Sequence, residues 1–450
     1  MALPGDETPA DGDDANRSDN PFAGTPFEHL LGGLGGGALP DLSSLMGQFQ
    51  QMFSSQAGNV NWDLATSVAR AEVAKHPDRS PGAADRAGLA DAARLAEHWL
   101  DEATVLPAGA REVEPWSRAE WVESTRASWQ QLVEPIAANV VRAMSDAMPA
   151  EVRQMAGPLI GMLGQVGGAL FGQQVGQAVG ELAGEVVSAS DVGLPLATTS
   201  ALVVSNVETF GAGLPQSAED VRLYLTLREC AYQRLFVHVP WLKAHLFGAV
   251  EEFGRGTRID VGAIESQLSG LDPSDPQKIQ DALSGGLFEP EQTPEQRAAL
   301  ARLETLLALV EGWVDDVVTS ATRDRMPSAV PLREAVRRRR AAGGPAEQTF
   351  ASLVGLELRP RRLRDAANLW AALRDARGTA GRDAVWAHPD LLPTQADLDD
   401  PMGFARPDTN ALEEATSGEF DAALEALLDE DAASGDAGTD KDGDGPPGSS

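Results

Sequence analysis

From about residue 59 onward, apolar positions recur at the three-and-four spacing of helices. Ser117-Arg118-Ala119-Glu120 forms a capping box, with Trp116 before it and Trp121 after it placed as a hydrophobic staple. The helix this predicts carries Trp121, Trp129, Leu132, Ile136 and Val140 on its apolar side. Thr293-Pro294-Glu295-Gln296 is a second helix start, with proline at the first helical position. Its apolar face runs through Leu300, Leu303, Leu307, Val310 and Val314. Upstream, Asp41 caps a short amphipathic helix over 41–54, where Leu42, Leu45, Met46, Phe49, Met52 and Phe53 share a face. That face suits docking on the main body, or on a partner. Strand signals are scarce, and the best is Ala201-Leu202-Val203-Val204. The expected fold is mostly α, with at most a small β-sheet.

Residues 157–184 pose a separate choice. Glycines recur at 164, 168, 172, 176, 180 and 184, which on a helix makes a groove free of side chains. Each costs about 1 kcal/mol in helix propensity relative to alanine, so a close contact must offset several kcal/mol. A membrane span is the alternative. Gln165, Gln173, Gln174, Gln177, Glu181 and Glu185 interrupt the stretch, and its apolar runs fall short of the roughly 20 residues a span needs. Close packing in a core is the expectation.

Composition narrows the function. The 450 residues carry 36 Lys+Arg against 68 Asp+Glu, a net charge of −32. That argues against nucleic acid and anionic membranes as partners. Cys230 is the sole cysteine, so no disulfide forms within the chain. The charge is uneven: residues 1–28 carry −6 and residues 391–450 carry −14. Both ends read as poor core formers. The expected organisation is a disordered acidic and Gly-rich N-terminus (1–40), the short helix (41–54), a main domain (58–404) and an acidic, largely disordered tail (405–450). The N-terminus shows no secretory signal, and with the single cysteine this predicts a cytoplasmic protein. The glycines at 32–37 lack the Lys-Ser/Thr pair of a phosphate loop. One stretch is basic: Arg333, Arg337, Arg338, Arg339, Arg340, Arg359, Arg361, Arg362 and Arg364. It reads as a solvated face pairing with acids elsewhere, the tail among them, or as a site for a phosphorylated ligand.

The most informative segment is 214–260, VRLYLTLRECAYQRLFVHVPWLKAHLFGAVEEFGRGTRID following Leu214-Pro215-Gln216-Ser217-Ala218-Glu219-Asp220. It resembles the actinobacterial zincin-like family whose members are labelled zinc-dependent metalloproteases or hydrolases. The resemblance extends over roughly 58–404, from Val60-Asn61-Trp62-Asp63 to Ala387-His388-Pro389-Asp390-Leu391-Leu392-Pro393-Thr394. It includes the glycine ladder, Gly285-Gly286-Leu287-Phe288-Glu289-Pro290 and Gly344-Pro345-Ala346-Glu347-Gln348-Thr349-Phe350. It implies a mostly helical zincin-like fold with one metal site.

The family's chemistry rests on H-E-x-x-H on a helix: two imidazoles on one face hold zinc, and the Glu takes a proton from zinc-bound water. Here the matching residues are Arg228, Glu229, Cys230, Ala231 and Tyr232, and only the Glu is retained. Arg228 has no lone pair to give. Tyr232 is a phenol of ordinary pKa about 10. Cys230 lies roughly 200° around the helix from the 228/232 face. The resemblance places the third ligand in Glu311-Gly312-Trp313, where the Glu is kept and Trp313 replaces a His. One ligand type out of three implies no cofactor at this site and a non-catalytic binding or scaffold member, a pseudoenzyme whose cleft takes a peptide or protein ligand. Arg228 would then pair with Glu229 and Glu311. The alternative is an active zinc metallohydrolase of peptidase type, with Glu229 as general base and an unconventional ligand set. A relocated site over His238, His245 and Glu252 is a further reading, with Pro240 starting a new helix between the two His.

Overall fold

A computed structural model describes residues 59–109, 112–146, 157–255, 293–341, 349 and 362–406. The expectations for 1–40, for the 41–54 helix, for Gly285–Pro290, for most of Gly344–Phe350 and for the tail beyond 406 lie outside these residues. Within them the fold is mostly helical, with one two-stranded sheet.

Helix α1 (Trp62–Val73) starts where the Asn61 side chain accepts from the Leu64 amide at 3.0 Å. α2 spans Ala83–Leu100. Strand β1 (Val113–Trp116) leads into α3 (Arg118–Asp146) through the predicted capping box. Glu120 accepts from the Ser117 amide at 2.7 Å, and the Ser117 hydroxyl accepts from the Glu120 amide at 3.2 Å.

Helix α4 (Gly157–Ala183) carries the glycine ladder and lies along α1. The Gly168 carbonyl accepts from the Asn61 amide at 3.0 Å. A Cβ at Gly172 would stand 2.6 Å from the Asn61 carbonyl oxygen, and one at Gly176 would meet the Ala65 carbonyl closer still. A Cβ at Gly180 would meet the Glu72 side chain at 2.5 Å. The groove is filled by the backbone of α1 and by its Val68 and Glu72 side chains, so it is a packing surface. No helix among the described residues is long and apolar enough to cross a membrane. Gly176→Ala should therefore cost about 1–3 kcal/mol of overpacking, which exceeds the ~1 kcal/mol gained in helix propensity. Urea unfolding would show it, and a gain in stability would contradict the close contact.

Strand β2 (Ser200–Val203) pairs parallel with β1, Val113 opposite Ser200 and Trp116 opposite Val203. The strand signal at 201–204 is thus displaced by one residue, because Val204 opens helix α5 (Val204–Gly211). On β2's other side, Ala189 donates to Ala201 and Val203 donates to Val187, each at 2.9 Å. Asn206 of α5 donates to the carbonyls of Ala183 (2.9 Å) and Val186 (2.6 Å), and accepts from Arg118 at 2.7 Å. This side chain joins the end of α4 to the start of α3.

Helix α6 (Ala218–His238) is capped by Ser217, whose hydroxyl accepts from the Asp220 amide at 3.1 Å. Every residue from Tyr224 to Leu235 is buried, so α6 has no solvated face there and forms the centre of the core. It packs on α2, on β2, on α7 (Pro240–Arg255), on α8 (Pro294–Thr322) and on α9 (Ala329–Ala341). α7 begins at Pro240, as the sequence predicts. α8 opens with the Thr293/Gln296 capping box and buries Leu306 through Val318. α10 (Leu363–Asp383) crosses α8 closely, since a Cβ at Gly312 would stand 2.7 Å from the Ala366 Cβ, and it is kinked at Gly378. Two 3-10 turns and the short helices α11 (Gln395–Asp399) and α12 (Pro401–Ala405) complete the described chain.

Candidate functional site

Burying α6 on all sides places charged residues in the core. Arg228, Glu229, Tyr232 and Glu311 are all under 9% exposed. Positions 228 and 232 are one turn apart and face α8, where Glu311 meets them. Arg228 donates to Glu311 Oε2 at 2.9 Å and to the Tyr232 hydroxyl at 3.3 Å. The Tyr232 hydroxyl donates to Glu311 Oε1. The guanidinium also lies 5.7 Å from the Tyr232 ring centre, within cation–π range. Burial opposes the charge on Arg228, but facing Tyr232 and Glu311 hold its pKa above the ordinary arginine value. Burial, then the charge of Glu311, push the Tyr232 phenol above its ordinary range. The arginine is fixed as a cation and the tyrosine as a neutral donor.

Glu229 does not join this pair. One residue along a helix turns it about 100° from Arg228, toward the segment before β2. It accepts from the Ser190 amide at 3.1 Å, from the Ser190 hydroxyl at 3.4 Å and from Gln233 at 3.2 Å. Burial pushes its pKa up to about 7, against hydrogen bonds from Ser188, Gln233, Ser190 and Ala201 that favour the carboxylate. Of the two acids expected beside Arg228, only Glu311 is there.

Cys230 is buried on a different side of α6, near Glu97, and burial raises its thiol pKa well above the ordinary value. Its chemistry is that of a small core residue. Trp313 follows Glu311 by two residues and so points elsewhere. Its indole donates to Asp383 at 2.9 Å, in a separate buried network with Arg382 and Asp316. The residues of the relocated reading are apart in character. His238 ends α6 and is exposed. His245 is exposed with its ring edge-on to Trp241 at 5.5 Å, and Glu252 pairs with Arg302 at 2.5 Å.

Sequence reasoning missed how the basic helix takes part. α9 does not present its arginines only to solvent. Arg333 and Arg337 converge on Asp315 of α8, which they hold below the ordinary carboxylate range against the opposing effect of burial. Arg339 pairs with Asp191 at 3.0 Å, and Arg340 reaches Glu311 Oε1 at 2.5 Å. Arg362 pairs with Asp365 at 3.0 Å and with Asp399. The 187–194 loop supplies Asp191 and turns over Glu311 at Gly193, whose φ of 77° is a left-handed conformation that glycine adopts without strain.

A catalytic zinc site needs three protein ligands and a water. The residues at this site do not fit one. Arg228 is a cation without a lone pair, Tyr232 is held neutral, and both oxygens of Glu311 are already engaged. Among the described residues, no three or more His, Cys, Asp or Glu side chains are grouped so as to hold a metal ion.

Among solved structures, the chain is similar to one described as a "putative hydrolase with a novel fold from Chloroflexus aurantiacus". The TM-score is 0.56 at 22% identity, over 77% of this chain and 97% of that one. That likeness concerns the fold alone. No curated protein matches. The family described as "Zincin-like metallopeptidase" matches residues 60–405, more than half of the sequence. On that match, the chain belongs to the zincin-like metallopeptidase family.

Proposed function

We propose that this protein is a metal-free, non-catalytic member of its family that works as a binding or scaffold protein. The observation that carries this reading is the Arg228 guanidinium set against Glu311 and Tyr232 in the core. The family's two metal-holding imidazoles are replaced by a cation and a neutral phenol, and the remaining carboxylate is engaged by protein donors. Function then rests on surfaces and not on a reacting centre, with a peptide or another protein as the class of ligand.

One observation favours the catalytic alternative. Burial brings Glu229 to about pKa 7, the range suited to a general base. Its oxygens, however, are taken up by Ser190 and Gln233, and the residue stands beside a ligand set that does not fit zinc.

Elemental analysis of protein purified without a His tag separates the two. The expected result is no stoichiometric zinc. Zinc at about one ion per chain, lost on Glu311→Ala, would overturn the non-catalytic reading and restore Glu229 as the base.

A further inference from the structure

Glu311 is buried with a cation on either side. Arg228 of α6 engages Oε2 at 2.9 Å, and Arg340 of α9 engages Oε1 at 2.5 Å. The Arg228 side chain is 7% exposed and that of Arg340 is 18% exposed. The two guanidiniums come from helices far apart in sequence. Burial and the charge of Arg228 oppose the charge on Arg340, but facing Glu311, Tyr232 and Asp191 hold its pKa above the ordinary arginine value. Their closeness is tolerated because acceptors surround them. Arg340 is also held by the carbonyl of Asp191, with the Asp191 carboxylate 3.5 Å away. Asp191 is fixed in turn by the Val187 amide at 2.9 Å and by Arg339 at 3.0 Å.

One buried carboxylate thus faces two unit positive charges. We propose that Arg228 and Arg340 together replace the charge of a divalent metal ion, one from the zinc-motif helix and one from α9. This rests on the metal-free reading above. It gives part of the basic run an internal role: Arg340 is a counter-ion arm reaching the site, not a surface for phosphates. The consequence is specific. Restoring imidazoles at 228 and 232 would not restore metal binding, because Arg340 would still engage Glu311 and repel an incoming dication. Three ligands become available only when Arg340 is also removed.

The test compares full-length wild type, Arg228→His/Tyr232→His and Arg228→His/Tyr232→His/Arg340→Gln. Each is loaded with zinc chloride, dialysed and analysed for metal, with circular dichroism as the check on folding. The expected result is about one zinc per chain in the triple variant only. A double variant that retains as much zinc as the triple would overturn the two-cation inference. Stoichiometric zinc in the wild type would instead overturn the metal-free reading, so the two failures are distinguishable.

A second measurement serves if the triple variant does not fold. Arg340→Gln is made in the wild type and in Glu311→Gln, and the melting temperatures are compared. Arg340→Gln should lower the melting temperature less in the Glu311→Gln background than in the wild type. Equal losses in both backgrounds would show that Arg340 does not serve Glu311, and would overturn the inference.

Discussion

Glu311→Ala is expected to destabilise the protein more than Arg228→Ala does, although the two form one ion pair. Removing one partner of a buried pair typically costs about 3–5 kcal/mol, because the other charge is left uncompensated. Arg228→Ala belongs near the lower end, at about 3 kcal/mol. Glu311 would keep Arg340 at 2.5 Å and the hydroxyl of Tyr232. Glu311→Ala belongs at the upper end, about 5 kcal/mol, because it strands Arg228 and weakens the hold on Arg340 at once. Urea unfolding with linear extrapolation would give both values. The reverse order would mean that Arg340 is not an effective partner of Glu311. An Arg228→Ala protein as stable as wild type would mean that the pair contributes nothing.

The second large effect concerns pH. The folded-state pKa of Glu229 is about 7 and its ordinary value is 4.5. The native state therefore holds this proton more tightly than the unfolded chain does. The stabilisation is complete below pH 4.5 and is lost as pH rises through 7. Each pKa unit corresponds to about 1.4 kcal/mol, so the whole effect is at most about 3 kcal/mol. Asp191 and Asp315 act in the opposite sense. Their pKa values are lowered, so their contribution is lost as pH falls. The difference between wild type and Glu229→Gln isolates the glutamate. The variant should be more stable than wild type at pH 8 by up to about 3 kcal/mol, with the advantage shrinking toward pH 4.5. An advantage that is flat with pH would show that Glu229 is ionised throughout.

Local signals were the most legible. The Ser117/Glu120 and Thr293/Gln296 boxes are settled by residues three apart, and both are formed as read. The glycine ladder showed that something would lie close, but not what. The partner, α1, is about a hundred residues upstream, and the groove is filled mainly by its backbone carbonyls, which carry no sequence signal. Strand β1 was missed for a related reason. Val113-Glu114-Pro115-Trp116 contains a proline and a charge, and its pairing comes from a distant segment. Pro115 is tolerated because, among the described residues, β1 pairs on one side only.

The candidate site divides in the same way. Residues 228 and 232 share a helical face, which spacing alone gives, and the family resemblance named Glu311. The orientation of Glu229 follows from the 100° step of a helix. Arg340 and Asp191 were not legible. Four consecutive arginines look like a solvated face, and only the packing of α9 against α8 decides which of them turn inward.

The double hold on Glu311 also bears on how the sequence can change over generations. Replacing Arg228 alone leaves a carboxylate short of charge, and replacing Glu311 alone strands arginines in the core. Replacing Arg340 alone removes one of the two cations from Glu311 and one contact from the 187–194 loop at Asp191. Each single step away from the present arrangement carries a penalty, whereas coordinated steps need not. Selection for stability should therefore hold these positions as a linked set, with drift at one permitted only after compensation at another. A lineage that has acquired this clamp has a stepwise route back to an open carboxylate only through less stable ancestors.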